Sequence, residues 1–184
     1  MAFLKLILAF APWLAFLIIG PNNLTLGLVV ALALSVVMGI TGLHRGVILW
    51  AGLAFFTYAT VSVLLLHDVW TMRHMGILAN TALAASSWLT IAIRKPFTLD
   101  YAHQHTDPSL WNSPAFIRTN VVITAVWATV FTVNAVLAWG KMAQVGLPAL
   151  GYELLSYSLM IGTAAFTVWY PTHRRRMLAH AANL

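Results

Sequence analysis

The stretch VILWAGLAFFTYATVSVLLL, Val47 to Leu66, decides the fold: it runs for 20 residues without a charged side chain. At roughly 1.5 Å per residue, a helix of that length reaches about 30 Å, the thickness of a bilayer's hydrocarbon core. The whole chain shares this character. Hydrophobic residues make up 61% of it, charged residues 8%, and the mean hydropathy is +0.85. A soluble domain carries charge on roughly a quarter of its residues, so this chain belongs in a membrane. Its formal charge of +6 does not point to nucleic acid, because the basic residues stand at helix ends rather than in a patch. Without cysteine, disulfides, iron–sulfur clusters and thiolate zinc sites are excluded.

Outward from Val47–Leu66, five further apolar runs read as spans: 3–19, 24–41, 76–93, 114–140 and 152–170. The first holds Lys5 and Pro12. The poor cleavage site before Pro21 favours a retained helix over a signal peptide. Asn23 is placed to cap the second helix, and Ser113 to cap the fifth with Pro114 at its first position. Pro171 is expected to stop the sixth. On the second helix Gly27, Ala31, Ser35 and Gly39 form one small-residue face. Such a face packs closely on a neighbouring helix, within the chain first, with homo-oligomerisation as the alternative.

Orientation follows from the basic residues. With the N-terminus inside, the inner side holds Lys5, Arg45, Arg94, Lys95, Arg118 and Arg174 to Arg176, against Arg73 and Lys141 outside, a ratio of eight to two. The expected fold is an all-α membrane bundle of six helices, both termini cytoplasmic, forming a single transmembrane domain.

The one long polar interval, Arg94 to Arg118, falls inside. Arg94 and Lys95 suit a helix C-terminus and inner-leaflet phosphates, and Pro96 ends the helix. Thr98 is expected to cap a short helix with Asp100 in its first turn; Asp107-Pro108 repeats that start. Tyr101 and Trp111 suit an interfacial aromatic belt. Residues 94–113 thus read as two short helical pieces lying on the membrane surface.

KPFTLDYA (Lys95 to Ala102), the DP-x-x-W-x-x-P-x-F segment from Asp107, and Asn120, Thr124, Ala125 and Trp127 together resemble a bacterial family. Its members are small inner-membrane proteins grouped loosely with the intracellular septation protein A-like proteins. The resemblance implies a multi-pass protein of the bacterial inner membrane, with no assigned chemistry. Where the family pattern carries a charged pair after Tyr-Ala, this chain has His103-Gln104.

Candidate chemistry is sparse. His103 and His105, with Asp100 and Asp107 nearby, are weak metal ligands, because residues two apart diverge on a helix. His67, Asp68 and His74 form a second polar cluster across the membrane. Asn80 and Asn134 (both placed towards the outer ends of their helices) with Glu153 and Tyr157 are candidates for an outward-facing polar cavity. Glu153 is close enough to its helix end to pair with Lys141. No nucleotide loop, Ser-His-Asp arrangement or HExxH motif is present, and no cofactor is expected. Membrane lipids and a membrane-protein partner are the expected associates. The expected role is a non-enzymatic envelope-maintenance or accessory protein that docks through residues 94–118. The docking set is Arg94, Lys95, Pro96, Phe97, Thr98, Asp100, Tyr101, Asp107, Trp111, Arg118, Asn120 and Trp127. A small transporter and a metal- or haem-binding membrane enzyme are the alternatives.

Overall fold

The computed structural model describes residues 8, 10–42, 46–103 and 106–181, with backbone alone at 175, 176 and 178–181. Lys5, Arg45 and His105 lie outside this set. Among the described residues the protein is all helical: α1 (Ala11–Ile19), α2 (Leu24–Thr41), α3 (Val47–Thr60), α4 (Val69–Ala92), α5 (Leu99–Ala102), α6 (Pro114–Ala143) and α7 (Ala149–Ala181). Leu24–Thr41, Val47–Leu65, Val69–Ala92 and Pro114–Ala143 are long and apolar enough to cross a membrane. The architecture fits a membrane-embedded protein.

Local chemistry explains most helix ends. The Asn23 side chain accepts from Leu26 N–H at 2.9 Å, and Ser113 Oγ from Phe116 N–H at 3.3 Å, so both expected caps form. Three helices depart from the sequence reading, the first and third in their bounds and the second only in its winding. First, α4 begins at Val69 rather than 76. The Asp68 carboxylate caps it, accepting from Trp70 N–H (3.0 Å), Thr71 N–H (3.2 Å) and the Thr71 hydroxyl (2.6 Å). The Thr71 hydroxyl, followed by these backbone bonds, holds the Asp68 pKa below the ordinary aspartate value. Second, α3 runs on as a π-helical turn over Val61–Leu65, closed by Leu66 N–H to the Val61 carbonyl at 3.1 Å.

Third, α7 continues through Pro171 to Ala181. The proline forfeits its own bond to the Thr167 carbonyl, and threonine hydroxyls add bonds to neighbouring carbonyls. Thr167 donates to the Thr163 carbonyl at 2.8 Å and Thr172 to that of Val168 at 3.5 Å. The Arg, Met, Leu and Ala residues that follow are strong helix formers. At 33 residues, α7 is about 50 Å long and outruns a bilayer core.

The helices pair antiparallel in chain order. In α2, Ser35 Oγ and Gly39 lie against Gly52 and Leu49 of α3. Tyr58 of α3 shares a 3.1 Å hydrogen bond with Thr71 of α4. The most extensive contact is α4 on α6, with Gly76 against Ala138. In turn, α6 meets α7 through Trp127 Nε1–H to Thr167 Oγ1 at 3.0 Å and Lys141 to Glu153 at 2.5 Å. Gly27, Ala31 and Ser35 are buried within these contacts, so three-quarters of the small-residue face is used inside the chain. Gly39 alone of the four is exposed.

Aromatic rings fill the centre. Phe10 stacks on Trp127 (5.5 Å) and meets Phe97 (6.1 Å) and Phe131 (6.2 Å). Trp13 packs on Phe55 and Phe56 at 5.3 and 4.8 Å. The surface is apolar too: Ile40, Leu65, Leu66, Val136 and Ile161 all stand exposed. Trp70 and Trp88 of α4 are 55% and 44% exposed. Their 18-residue separation is five full turns, so both occupy one face about 27 Å apart. Two interfacial tryptophans bracketing a hydrocarbon core stand at that spacing.

Candidate interfacial site

The site begins where α4 ends. Arg94 N–H donates to the Ile91 carbonyl at 2.9 Å and Lys95 N–H to that of Thr90 at 2.8 Å. This pair of bonds is a Schellman cap, whose turning residue sits in the left-handed region and is usually glycine. Here it is Arg94, with φ 59°.

Pro96, Phe97 and Thr98 then turn inward and are buried. Phe97 N–H donates to Thr90 Oγ1 at 3.3 Å, and Thr90 in turn donates to the Ser87 carbonyl at 2.7 Å. Thr98 holds the N-cap position of α5 but makes no cap bond with its side chain. Its hydroxyl instead donates to the Asn120 carbonyl at 3.0 Å and lies 2.9 Å from Thr124 Oγ1. A buried hydroxyl must find a partner, and the α6 carbonyl supplies a better-enclosed one than the short helix. Tyr101 is buried against Phe97 at 6.5 Å, and burial pushes its phenol above the ordinary tyrosine range. Asn120 and Trp127 are also buried. Phe97, Thr98 and Tyr101 therefore knot onto Asn120, Thr124 and Trp127.

The remaining docking residues face outward. Arg94, Lys95, Asp100, Asp107, Trp111 and Arg118 are all exposed. Crowding at the Asp100 carboxyl raises its pKa by desolvation, with His103 pulling the other way. Asp107 caps the 3-10 turn Pro108–Leu110, accepting from Ser109 N–H at 2.9 Å, and that bond first of all lowers its pKa. Trp111 Nε1–H donates to the Thr106 carbonyl at 3.0 Å, while its ring covers His103 at 4.5 Å. Phe116 lies on His103 as well, at 5.6 Å.

Other candidates separate. Among the described residues no group of three or more His, Asp or Glu side chains could hold a metal. His103 is packed between rings, and its expected companion His105 is outside the described residues. Across the protein, Asp68 is committed to the α4 cap. His74 donates from Nδ1 to the Trp70 carbonyl at 2.8 Å and stacks on that indole at 4.3 Å.

Nor do the cavity candidates share a level. Asn80 is midway between Trp70 and Trp88, at the centre of α4 rather than near its outer end, because α4 starts earlier than its hydropathy indicates. One turn beyond the Gly76–Ala138 contact in each helix brings Asn80 and Asn134 to the same depth. Asn134 is buried and its Oδ1 lacks a partner among the described residues, while Asn80 Nδ2 donates to the Gly76 carbonyl at 2.8 Å. Glu153 is in its surface ion pair with Lys141, about two turns further out by the α6–α7 register.

Sequence reading missed the left-handed Arg94, which carries no local signal. It also missed the Thr98–Thr124 hydroxyl pair and the Thr90 hydroxyl that accepts from Phe97 N–H, although Thr90 and Thr98 visibly flank one proline turn. Compared with protein-family models, curated proteins and solved structures, the chain matches none.

Proposed function

We propose that the chain is a six-span, non-enzymatic accessory protein of the bacterial inner membrane, with both termini cytoplasmic. Its role is to dock a partner or lipid through the outward half of residues 94–118. The division of that interval carries the proposal. Its inward residues are consumed in holding α4 to α6, and what stays outside is a polar and aromatic set: the cations Arg94, Lys95 and Arg118, the acids Asp100 and Asp107, and Trp111. The bias of basic residues supports the orientation. Arg94, Lys95, Arg118 and Arg174 belong to one end of the antiparallel bundle, and only Arg73 and Lys141 among the described cations to the other. The bacterial and envelope-maintenance assignments rest on the resemblance of KPFTLDYA and its companion segments to the septation protein A-like group.

The test is isolation from native membranes in mild detergent. Wild-type protein is expected to carry co-purifying protein or phospholipid phosphorus that the Lys95→Gln/Trp111→Ala variant loses. Identical protein and phosphorus content in both preparations would contradict docking here.

A further inference from the structure

We propose that His103 is a pH-sensitive clasp on Trp111: its protonated ring holds the indole against α5, and loss of the proton frees it. Resting on the docking reading above, the clasp regulates the aromatic residue of that surface. Three elements build it. His103 closes α5, its N–H donating to the Leu99 carbonyl. The 3-10 turn Pro108–Leu110 ends at Trp111, whose Nε1–H donates to the Thr106 carbonyl at 3.0 Å. Phe116 stands in the first turn of α6, its N–H held by the Ser113 cap. The imidazole lies 4.5 Å from the Trp111 ring centre and 5.6 Å from that of Phe116, with planes inclined by 36° and 29°. Ring faces rather than edges therefore meet it, both inside the reach of a cation–π contact, about 6 Å.

Imidazole is the side chain whose charge changes between about pH 5 and 8. Neutral, it holds the two rings by stacking alone. Protonated, it gains the attraction of both ring faces for a cation. It also gains that of Asp100, an electrostatic neighbour of His103 on the same short helix. His103 is half-buried, so its charged form keeps contact with water and loses little solvation. The added attraction wins, and the clasp is tighter in acid than in alkali.

Charged groups on the other two elements do not reverse that sign. On the turn, the Asp107 carboxylate accepts from Ser109 N–H at 2.9 Å, and as an anion it too favours the imidazolium. On α6 the next charge after Phe116 is Arg118, about 200° further round the helix. His105 lies outside the described residues, and its own variant separates it from His103.

The detergent-purified full chain, carrying fluorotryptophan, is followed by fluorine NMR between about pH 5 and 8. Trp111→Phe assigns the Trp111 resonance, and a soluble gadolinium chelate reports its exposure through broadening. In wild type the resonance is expected to shift with one midpoint. Its broadening should rise about threefold from the acid to the alkaline end, the population change that one solvent-touched cation–π contact is worth. His103→Gln should abolish both effects, and His105→Gln should leave both. Trp70 and Trp169, stacked on His74 and His173 at 4.3 and 4.6 Å, should titrate as before in His103→Gln and so show that the variant is folded. A Trp111 resonance that does not move with pH in wild type would overturn the clasp. So would a titration that survives His103→Gln or disappears in His105→Gln, and so would broadening that is greater in acid. No partner or lipid enters this measurement. The clasp can therefore fail while the loss from Lys95→Gln/Trp111→Ala stands, and that loss can fail while Trp111 still titrates.

Discussion

Phe97→Ala is expected to destabilise the protein by about 3 kcal/mol or more. Phe97 is 1% exposed, touching Phe10 and Tyr101 with its ring and Thr90 with its backbone N–H. It lies beyond the last turn of α4, outside the membrane-length stretch Val69–Ala92, so truncation loses transfer from water as well as packing. For a ring buried in the hydrocarbon, lipid would replace the lost apolar surroundings and only the packing loss would remain. Reversible unfolding in mixed micelles by SDS titration measures the difference. Leu99→Ala, two residues on and only half-buried, should cost clearly less. Equal costs at the two positions would mean that Phe97 is not the anchor of the knot.

Gly27→Val should be the most damaging change in the transmembrane part. A Cβ at Gly27 would stand 2.8 Å from both Cα and N of Gly20. Those are backbone atoms and cannot swing aside, so α1 must move away from α2. Overpacking usually costs about 1–3 kcal/mol. Here it also unseats Trp13 and Phe10, which α1 holds against Phe55, Phe56 and Trp127. The expected loss is therefore at or above the top of that range, read by the same SDS titration. Gly39→Val belongs to the same sequence stripe but meets only Leu49 Cδ2 at 4.0 Å, and should cost less than about 1 kcal/mol. A similar loss at both positions would contradict close α1–α2 approach as the reason for Gly27.

The four membrane-length helices were legible because length and apolarity are read directly from the sequence. Asn23 and Ser113 were legible as caps because their targets are three residues away. Thr98 was not, since its hydroxyl faces two competing acceptors and only the fold shows that Asn120, 22 residues on, wins. Asp68 hid the start of α4. The polar run from His67 to His74 lowers hydropathy where the cap and first two helical turns lie, so a hydropathy boundary replaced the true one and displaced Asn80 with it. Pro171 gave the opposite error: the breaker was read, while the helix-forming residues that carry α7 on beyond it were not. For the interval 94–118, pattern alone marked the right residues but merged two roles. Phe97, Thr98, Tyr101, Asn120 and Trp127 hold the helices together, and Arg94, Lys95, Trp111 and Arg118 face out.

The central claim is a multi-pass bundle whose residues 94–118 face the cytoplasm, and sidedness tests it most directly. The chain has no cysteine, so single thiols can be introduced without background. Ser109 and Ala149 are both exposed, one in the interval and one at the start of α7. With a membrane-impermeant maleimide, Ala149→Cys should be labelled in cells whose inner membrane is intact, and Ser109→Cys only after permeabilisation. Labelling of Ser109→Cys in intact cells, or of both positions from the same side, would contradict the account.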